Sequence, residues 1–317
     1  QPQLNRLAKS FPQADLLLGK PMPVAAALNF YRQLPHHLDF DPDRQVTWLI
    51  DSQQRLMEYA ELAKALGRPL RIALEIDIGL KRGGFGTPQA LVEAMQQLRH
   101  LPALPLQGLM GYDAHVAHNP PWQGQSQALR DADARYRQFI SSAQTFTERW
   151  PAEPLLNGGG SLTYRLHAQQ QTSLNEVAVG SALLKPAAFD TALLDEHQPA
   201  LWIASPVLKA LDGALPYAQS LQPLLEAWNP NRQNAYYLYG GRWPAQPVSP
   251  AGLDYDKLYG RSANQERLIG SASTQLTDRD WVFLRPAISE GLLDDFSELR
   301  LLRRGQLVGR WGSIGNA

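Results

Sequence analysis

The sequence predicts an α/β protein: a β/α barrel of TIM type over its greater part, then a separate, mostly β domain. Three observations predict it. Between residues 14 and 185, six short apolar runs alternate with amphipathic segments. The centres of those runs lack polar alternation, as parallel strands covered on both faces do. After about residue 198 proline, tryptophan and tyrosine cluster and helical periodicity fades. Repeated βα units give either an open doubly wound sheet or an eightfold barrel. Six strands are two short of eight, so the barrel reading expects two further units upstream of Gln1, which is not an initiator residue. The expected domains are residues 1–197, the barrel, and 198–317, the β-domain.

The expected strands are "ADLLLG" (14–19), "QVTWLI" (45–50), "PLRIALEIDIG" (69–79), "LQGLMGYDAH" (106–115), "EPLLN" (153–157) and "LNEVAVGSALL" (174–184). Helices are expected between them. Asp51 or Ser52 caps one that runs to Leu66, with Gly67 where a left-handed C-terminal residue is wanted. Thr87 before Pro88 is a cap plus a first-turn proline, opening a helix with Leu91, Ala94, Met95 and Leu98 inward. Leu129, Ala132, Tyr136, Phe139, Ile140, Ala143 and Phe146 recur at helical spacing through the longest one. In the last third, "DWVFLRPA" reads as a strand and 298–311 as a hairpin turning near Gly305.

The chain has 317 residues, 30 basic and 30 acidic side chains, and no cysteine. Zero formal charge argues against a nucleic-acid partner, which needs a basic face. Without cysteine there is no disulfide and no thiolate metal site. No run approaches the roughly 18 apolar residues of a membrane span, so no membrane partner and a cytoplasmic location are expected.

Four stretches carry chemistry. "EIDIGLKRGGFG" (75–86) ends a strand with carboxylates, a Lys-Arg pair and glycines, where barrels place functional groups; the bland alternative pairs Asp77 with Arg82. "GYDAHVAH" (111–118) ends the next strand, and Asp113, His115 and His118 can be read as metal ligands or as a polar loop. "NGGGSLTY" (157–164) offers bare backbone amides, and "VGSALL" (179–184) adds a second Gly-Ser at the next strand end. Together these two resemble the phosphate site that barrels build from their last strands. In a neutral protein that points to a phosphorylated small molecule or cofactor.

Taken in order, "EIDIGLKRGGF", "GLMGYDAHVAH", "NGGGSLTY" and "NEVAVGS" resemble the motifs of fold-type III pyridoxal-phosphate enzymes, the alanine racemase-like barrels. The resemblance covers roughly residues 14–190 and is strongest to the D-threonine aldolase and D-serine dehydratase branch. It implies pyridoxal 5'-phosphate as cofactor, small amino acids as substrates and a homodimer. It implies that Gly158, Gly159, Gly160, Ser161, Gly180 and Ser181 hold the phosphate. Arg82 would lie near the ring's phenolic oxygen, and Tyr112 and His115 would line the pocket. The implied chemistry is cleavage of a bond at Cα with the cofactor as electron sink. Alanine racemases place an arginine where this chain has Ala178, facing the ring nitrogen. Its absence permits a protonated nitrogen with Glu176 as partner, which favours a lyase over a racemase.

Two departures stand out. The family's Schiff-base lysine ends the first barrel strand, so it is expected upstream of Gln1; Lys20 is the lesser candidate, because "ADLLLGKPMPV" matches the third strand. Metal-assisted members carry C-terminal ligands where this chain has Ile288 and Glu290, so no metal is expected. The rivals are a racemase of the same fold, a barrel metallohydrolase using Asp113, His115 and His118, and a non-catalytic cofactor carrier. The C-terminal β-domain speaks against the carrier. "YYLYGGRW" (236–243) is expected to be an aromatic interface.

Overall fold

The computed structural model describes residues 2–35 and 38–312. They form two compact units, residues 1–180 and 181–317. The first unit opens with helix α1 (Pro2–Ser10), strand β1 (Leu16–Leu17), α2 (Val24–Gln33) and α3 (Pro42–Gln45). It continues with β2 (Val46–Ile50), α4 (Gln53–Leu66), β3 (Arg71–Glu75), α5 (Pro88–Leu98), β4 (Leu106–Gly111) and α6 (Ala114–Ala117). The last elements are α7 (Gln125–Gln144), β5 (Leu155–Gly158), α8 (Tyr164–Gln169) and β6 (Glu176–Val177).

The six strands form one parallel sheet in the order β1-β2-β3-β4-β5-β6. Sequential order is what a barrel requires, whereas a doubly wound sheet reverses direction at its middle. The sheet also curls. Leu17 of β1 and Glu176 of β6, at its two edges, line the same cavity of about 350 Å³ with Met110 and Asn157. Leu49, Ala73 and Met110 form the inner layer with Leu17 packed against it. This is a half-barrel with helices on its outside.

The helix signals act as their chemistry predicts. Ser52, rather than Asp51, accepts from the Arg55 amide, and Gly67 closes α4 at φ +63°. Thr87 accepts from the Ala90 amide with Pro88 behind it. Along α7, Leu129, Ala132, Tyr136, Phe139 and Ala143 are buried. Phe146 is buried just beyond the helix, and Ile140 is half-buried.

The strands are shorter than the apolar runs. β3 stops at Glu75 because the Asp77 carboxylate accepts the amides of Gly79 (2.9 Å) and Lys81 (3.0 Å) and turns the chain. The run 174–184 contributes only Glu176–Val177 to the sheet, and Ser181–Leu183 is a 3₁₀ turn belonging to the second unit.

The second unit holds a six-stranded sheet made of β7 (Ile203–Asp212), β8 (Asn234–Tyr239), β9 (Ala245–Ser249), β10 (Asp254–Tyr255), β11 (Gln265–Gly270) and β12 (Trp281–Pro286). Their order is β10-β11-β8-β7-β12-β9. Ile203, Val207, Tyr236, Leu238, Leu268 and Leu284 fill its core. A hairpin of β13 (Glu298–Arg303) and β14 (Gln306–Gly312) turns at Arg304 (φ +51°) and Gly305 (φ +78°), the two left-handed residues of a type I′ turn. The "YYLYGGRW" run is largely core, which corrects its reading as a surface. Tyr236 and Leu238 are buried and Trp243 packs on the core; Tyr239 is the aromatic residue that is well exposed.

Candidate active site

The ends of β3, β4 and β5 bring together most of the residues singled out from sequence. After β5 the chain passes through Gly158, Gly159 and Gly160, and each glycine is required by what lies against it. A Cβ on Gly158 would sit 2.7 Å from the Gly111 carbonyl oxygen; on Gly159 (φ +69°), 3.3 Å from the His167 ring; on Gly160, 2.8 Å from the Tyr112 ring. The loop therefore packs as bare backbone on β4, on α8 and on Tyr112. Beyond it the Gly160 carbonyl accepts the Thr163 and Tyr164 amides and starts the turn into α8. Ser161 Oγ accepts the Gly180 amide at 3.2 Å, which joins the two Gly-Ser stretches on the first unit.

Tyr112 carries the Arg82 guanidinium 4.4 Å from its ring centroid. Asp77 pairs with Lys81 (3.1 Å), not with Arg82, which corrects the bland alternative and leaves the arginine to the tyrosine face. Burial works to raise Asp77, but the Lys81 and Gly79 amides and the Lys81 ammonium outweigh it and hold the carboxyl low. Arg135 of α7 fastens this loop by donating to the carbonyls of Asp77 (2.6 Å) and Gly86 (2.7 Å). Burial, aided by Asp51, pushes the Glu75 carboxyl up against the pull of Arg82 and Arg55.

His115 lies against the same loop, its Nε2 2.7 Å from where a Gly79 Cβ would stand. Its Nδ1 is buried and has no partner among the described residues, and burial holds its pKa down. Glu176 lines the cavity of the half-barrel beside Ala178. Asn157 Nδ2 donates to Glu176 Oε1 at 2.7 Å, while the buried Asn157 Oδ1 has no partner among the described residues.

Other candidates lie elsewhere. Lys20 is exposed, three residues beyond β1. Ser181 belongs to the second unit, where its Oγ donates to Glu290 Oε1 and accepts from Ser289 Oγ (3.0 Å). The metal reading of "GYDAHVAH" is corrected. Asp113 is fully buried and gives both oxygens to protein donors, Oδ1 to Thr163 Oγ1 (2.7 Å) and Oδ2 to His167 Nε2 (2.6 Å), while His118 is exposed. Among the described residues no three His, Cys, Asp or Glu side chains gather as a metal site. Sequence reasoning missed His167, Thr163 and Thr172; Asp113 and His167 stand 54 positions apart, with no local pattern to join them.

A buried imidazole nitrogen without a partner among the described residues and a turn of three glycines that presents bare backbone suit a phosphorylated aromatic cofactor. The guanidinium-capped tyrosine at the rim suits it too.

Comparison with known proteins agrees with the fold. D-threonine aldolase from Filomicrobium marinum superposes with a TM-score of 0.77 over 100% of this chain and 80% of that one, at 14% identity. An alanine racemase of Clostridium difficile 630 gives 0.66 over 97% and 81%, also at 14% identity. In sequence, 3-hydroxy-D-aspartate aldolase of Paracoccus denitrificans (strain Pd 1222) is 26% identical over 136 residues. That match spans 43% of this chain and about a third (34%) of the relative. The model of the alanine racemase N-terminal domain matches residues 25–187, just over half of the chain, and the protein belongs to that family.

Proposed function

We propose that this chain binds pyridoxal 5'-phosphate and breaks a bond at Cα of a D-amino acid, as an aldolase- or dehydratase-like lyase. Residues 1–197 would be the cofactor-binding barrel and 198–317 the β-domain of a homodimer. The observation that carries this is the turn of bare backbone at 158–160, packed on Tyr112 with Arg82 stacked upon the ring. The proteins it is similar to include a D-threonine aldolase, a 3-hydroxy-D-aspartate aldolase and a D-threo-3-hydroxyaspartate dehydratase, all named for D-3-hydroxy amino acids.

The cofactor, when bound, supplies an electron sink for the pair left by the broken bond. This chain's residues do the rest. Gly158–Gly160 and Ser161 would offer backbone amides and a hydroxyl to the phosphate, with Gly180 held against Ser161 by its own amide. Arg82 places a guanidinium beside the ring oxygen. Glu176, oriented by the Asn157 amide, would accept a hydrogen bond from a protonated ring nitrogen, and Ala178 puts no cation in its way. His115, which burial favours in its neutral form, would be the pocket's proton acceptor.

The test is to incubate the full-length protein with the cofactor and D-threonine or D-3-hydroxyaspartate. An aldolase releases glycine with acetaldehyde or glyoxylate; a dehydratase releases a 2-oxo acid and ammonia. Loss of optical purity without either product would replace the lyase reading by the racemase. Borohydride reduction and peptide mapping then locate the cofactor lysine, and label on Lys20 would overturn the matching of β1 to a third barrel strand.

A further inference from the structure

Asp113 is a fully buried carboxylate at the end of β4, and it belongs to no reacting group described above. It takes Thr163 Oγ1 on one oxygen (2.7 Å) and His167 Nε2 on the other (2.6 Å). The second ring nitrogen of His167 meets Thr172 Oγ1 at 2.9 Å, and the side chain is 7% exposed. Both imidazole nitrogens and both carboxylate oxygens are thus committed. The pair ties the end of β4 to the turn that follows the glycines and to the turn after α8.

The ring edge does one thing more. Gly159 takes the left-handed conformation, and a Cβ there would stand 3.3 Å from His167 Cδ2 on one side and 3.5 Å from Val177 Cγ1 on the other. The ring and the valine are thus the neighbours that bound the space beside Gly159. Three consecutive glycines have the most conformational freedom to lose and no side chains with which to hold a shape. A loop of that kind receives an anion well only if something else fixes it first, because affinity is gained by preorganisation. Apolar packing would join the same segments with less desolvation, but without fixed directions. Hydrogen bonds of set length from a buried carboxylate supply those directions.

We infer that the Asp113–His167 pair is the positioning device of the glycine loop, setting Gly159 directly and the following turn through Thr163, so that the loop discriminates in favour of a phosphate group. Neither residue is assigned a catalytic role. The inference rests on the reading of residues 158–161 as a phosphate site, and the experiment separates the two.

Equilibrium dialysis of the full chain measures dissociation constants for pyridoxal 5'-phosphate and for pyridoxal, which differ by the phosphate alone. The wild type is expected to favour the phosphorylated ligand. His167→Ala is expected to weaken binding of pyridoxal 5'-phosphate about tenfold, roughly one charge-assisted hydrogen bond, and to leave pyridoxal unchanged. His167→Gln, whose Nε2 still reaches Asp113, is expected to restore most of the preference. If circular dichroism shows His167→Ala unfolded, Asp113→Asn carries the same expectation with side-chain size preserved. A folded variant with the wild-type ratio of the two constants, or one that loses both ligands equally, overturns the positioning role and leaves the phosphate site standing. A wild type that binds both ligands equally removes the phosphate site and this inference together.

Discussion

Gly158 has no positive φ, yet of the three consecutive glycines it is the one that meets backbone: a Cβ would be 2.7 Å from the Gly111 oxygen and 2.9 Å from Leu174 Cδ1. Backbone cannot yield as a flexible side chain does, so Gly158→Ala should cost about 2–4 kcal/mol, read as a lowered Tm. Gly86→Ala, with nothing within 4 Å of its Cβ, should be nearly neutral. His115 sets a pH dependence. Burial depresses its folded pKa below the ordinary 6.5, so as pH falls through that value the unfolded chain takes up a proton that the folded one resists. Stability is therefore lost below about pH 6.5 and levels off under the folded pKa. His115→Gln should flatten that part of the stability profile; an unchanged slope would exonerate His115. The glycines were legible in sequence as a run of three, where a Cβ would meet the Gly111 carbonyl, the His167 ring or the Tyr112 ring. His167 was not, since its meaning lies in Asp113, on another strand end.

At the scale of elements, the six parallel strands were legible because strands buried on both faces read as plain apolar runs. Their ends were not. Hydrophobicity continues through Ile76 and Ile78, both buried, while the Asp77 turn has already ended pairing at Glu75. The loop that follows is held from outside by Arg135, so Arg135→Met should raise hydrogen exchange over residues 79–86 and spare α7 itself. Unchanged exchange would mean that the Asp77 turn suffices. The short α9 (Glu290–Leu293) bears on metal use. Glu290 accepts hydroxyls from Ser181 and Ser289, Ile288 is exposed and has no donor atom, and the sequence from residue 198 onward holds no histidine or cysteine. Activity on a D-3-hydroxy amino acid is therefore expected to survive a chelator. Loss with chelator and recovery with manganese or zinc would place the protein among metal-assisted lyases.

For the whole molecule, the homodimer proposal turns on which surface two copies would share. Of the aromatic run at 236–243, Tyr236, Leu238 and Trp243 are spent on the core of the second unit. Hydrophobic alternation could not reveal this, because aromatic residues serve cores and interfaces alike. Three of the exposed aromatics lie on β12 and just before β7: Trp202 is 45%, Trp281 53% and Phe283 41% exposed. Trp281 and Phe283 alternate outward on β12, opposite Pro206 and Ala204 of β7, so both aromatics stand over small neighbours on one sheet face. Scattered apolar side chains need no explanation, but a contiguous aromatic face marks a contact surface. With 30 basic and 30 acidic side chains the copies carry no net charge to keep them apart. Light scattering at micromolar concentration is accordingly expected to give twice the chain mass. Trp281→Glu with Phe283→Glu should return it to one, with the thermal transition of each unit preserved because both side chains point away from the core. A wild-type monomer would end the dimer proposal. A double variant that remains dimeric would keep the dimer but move its interface off this face of the sheet.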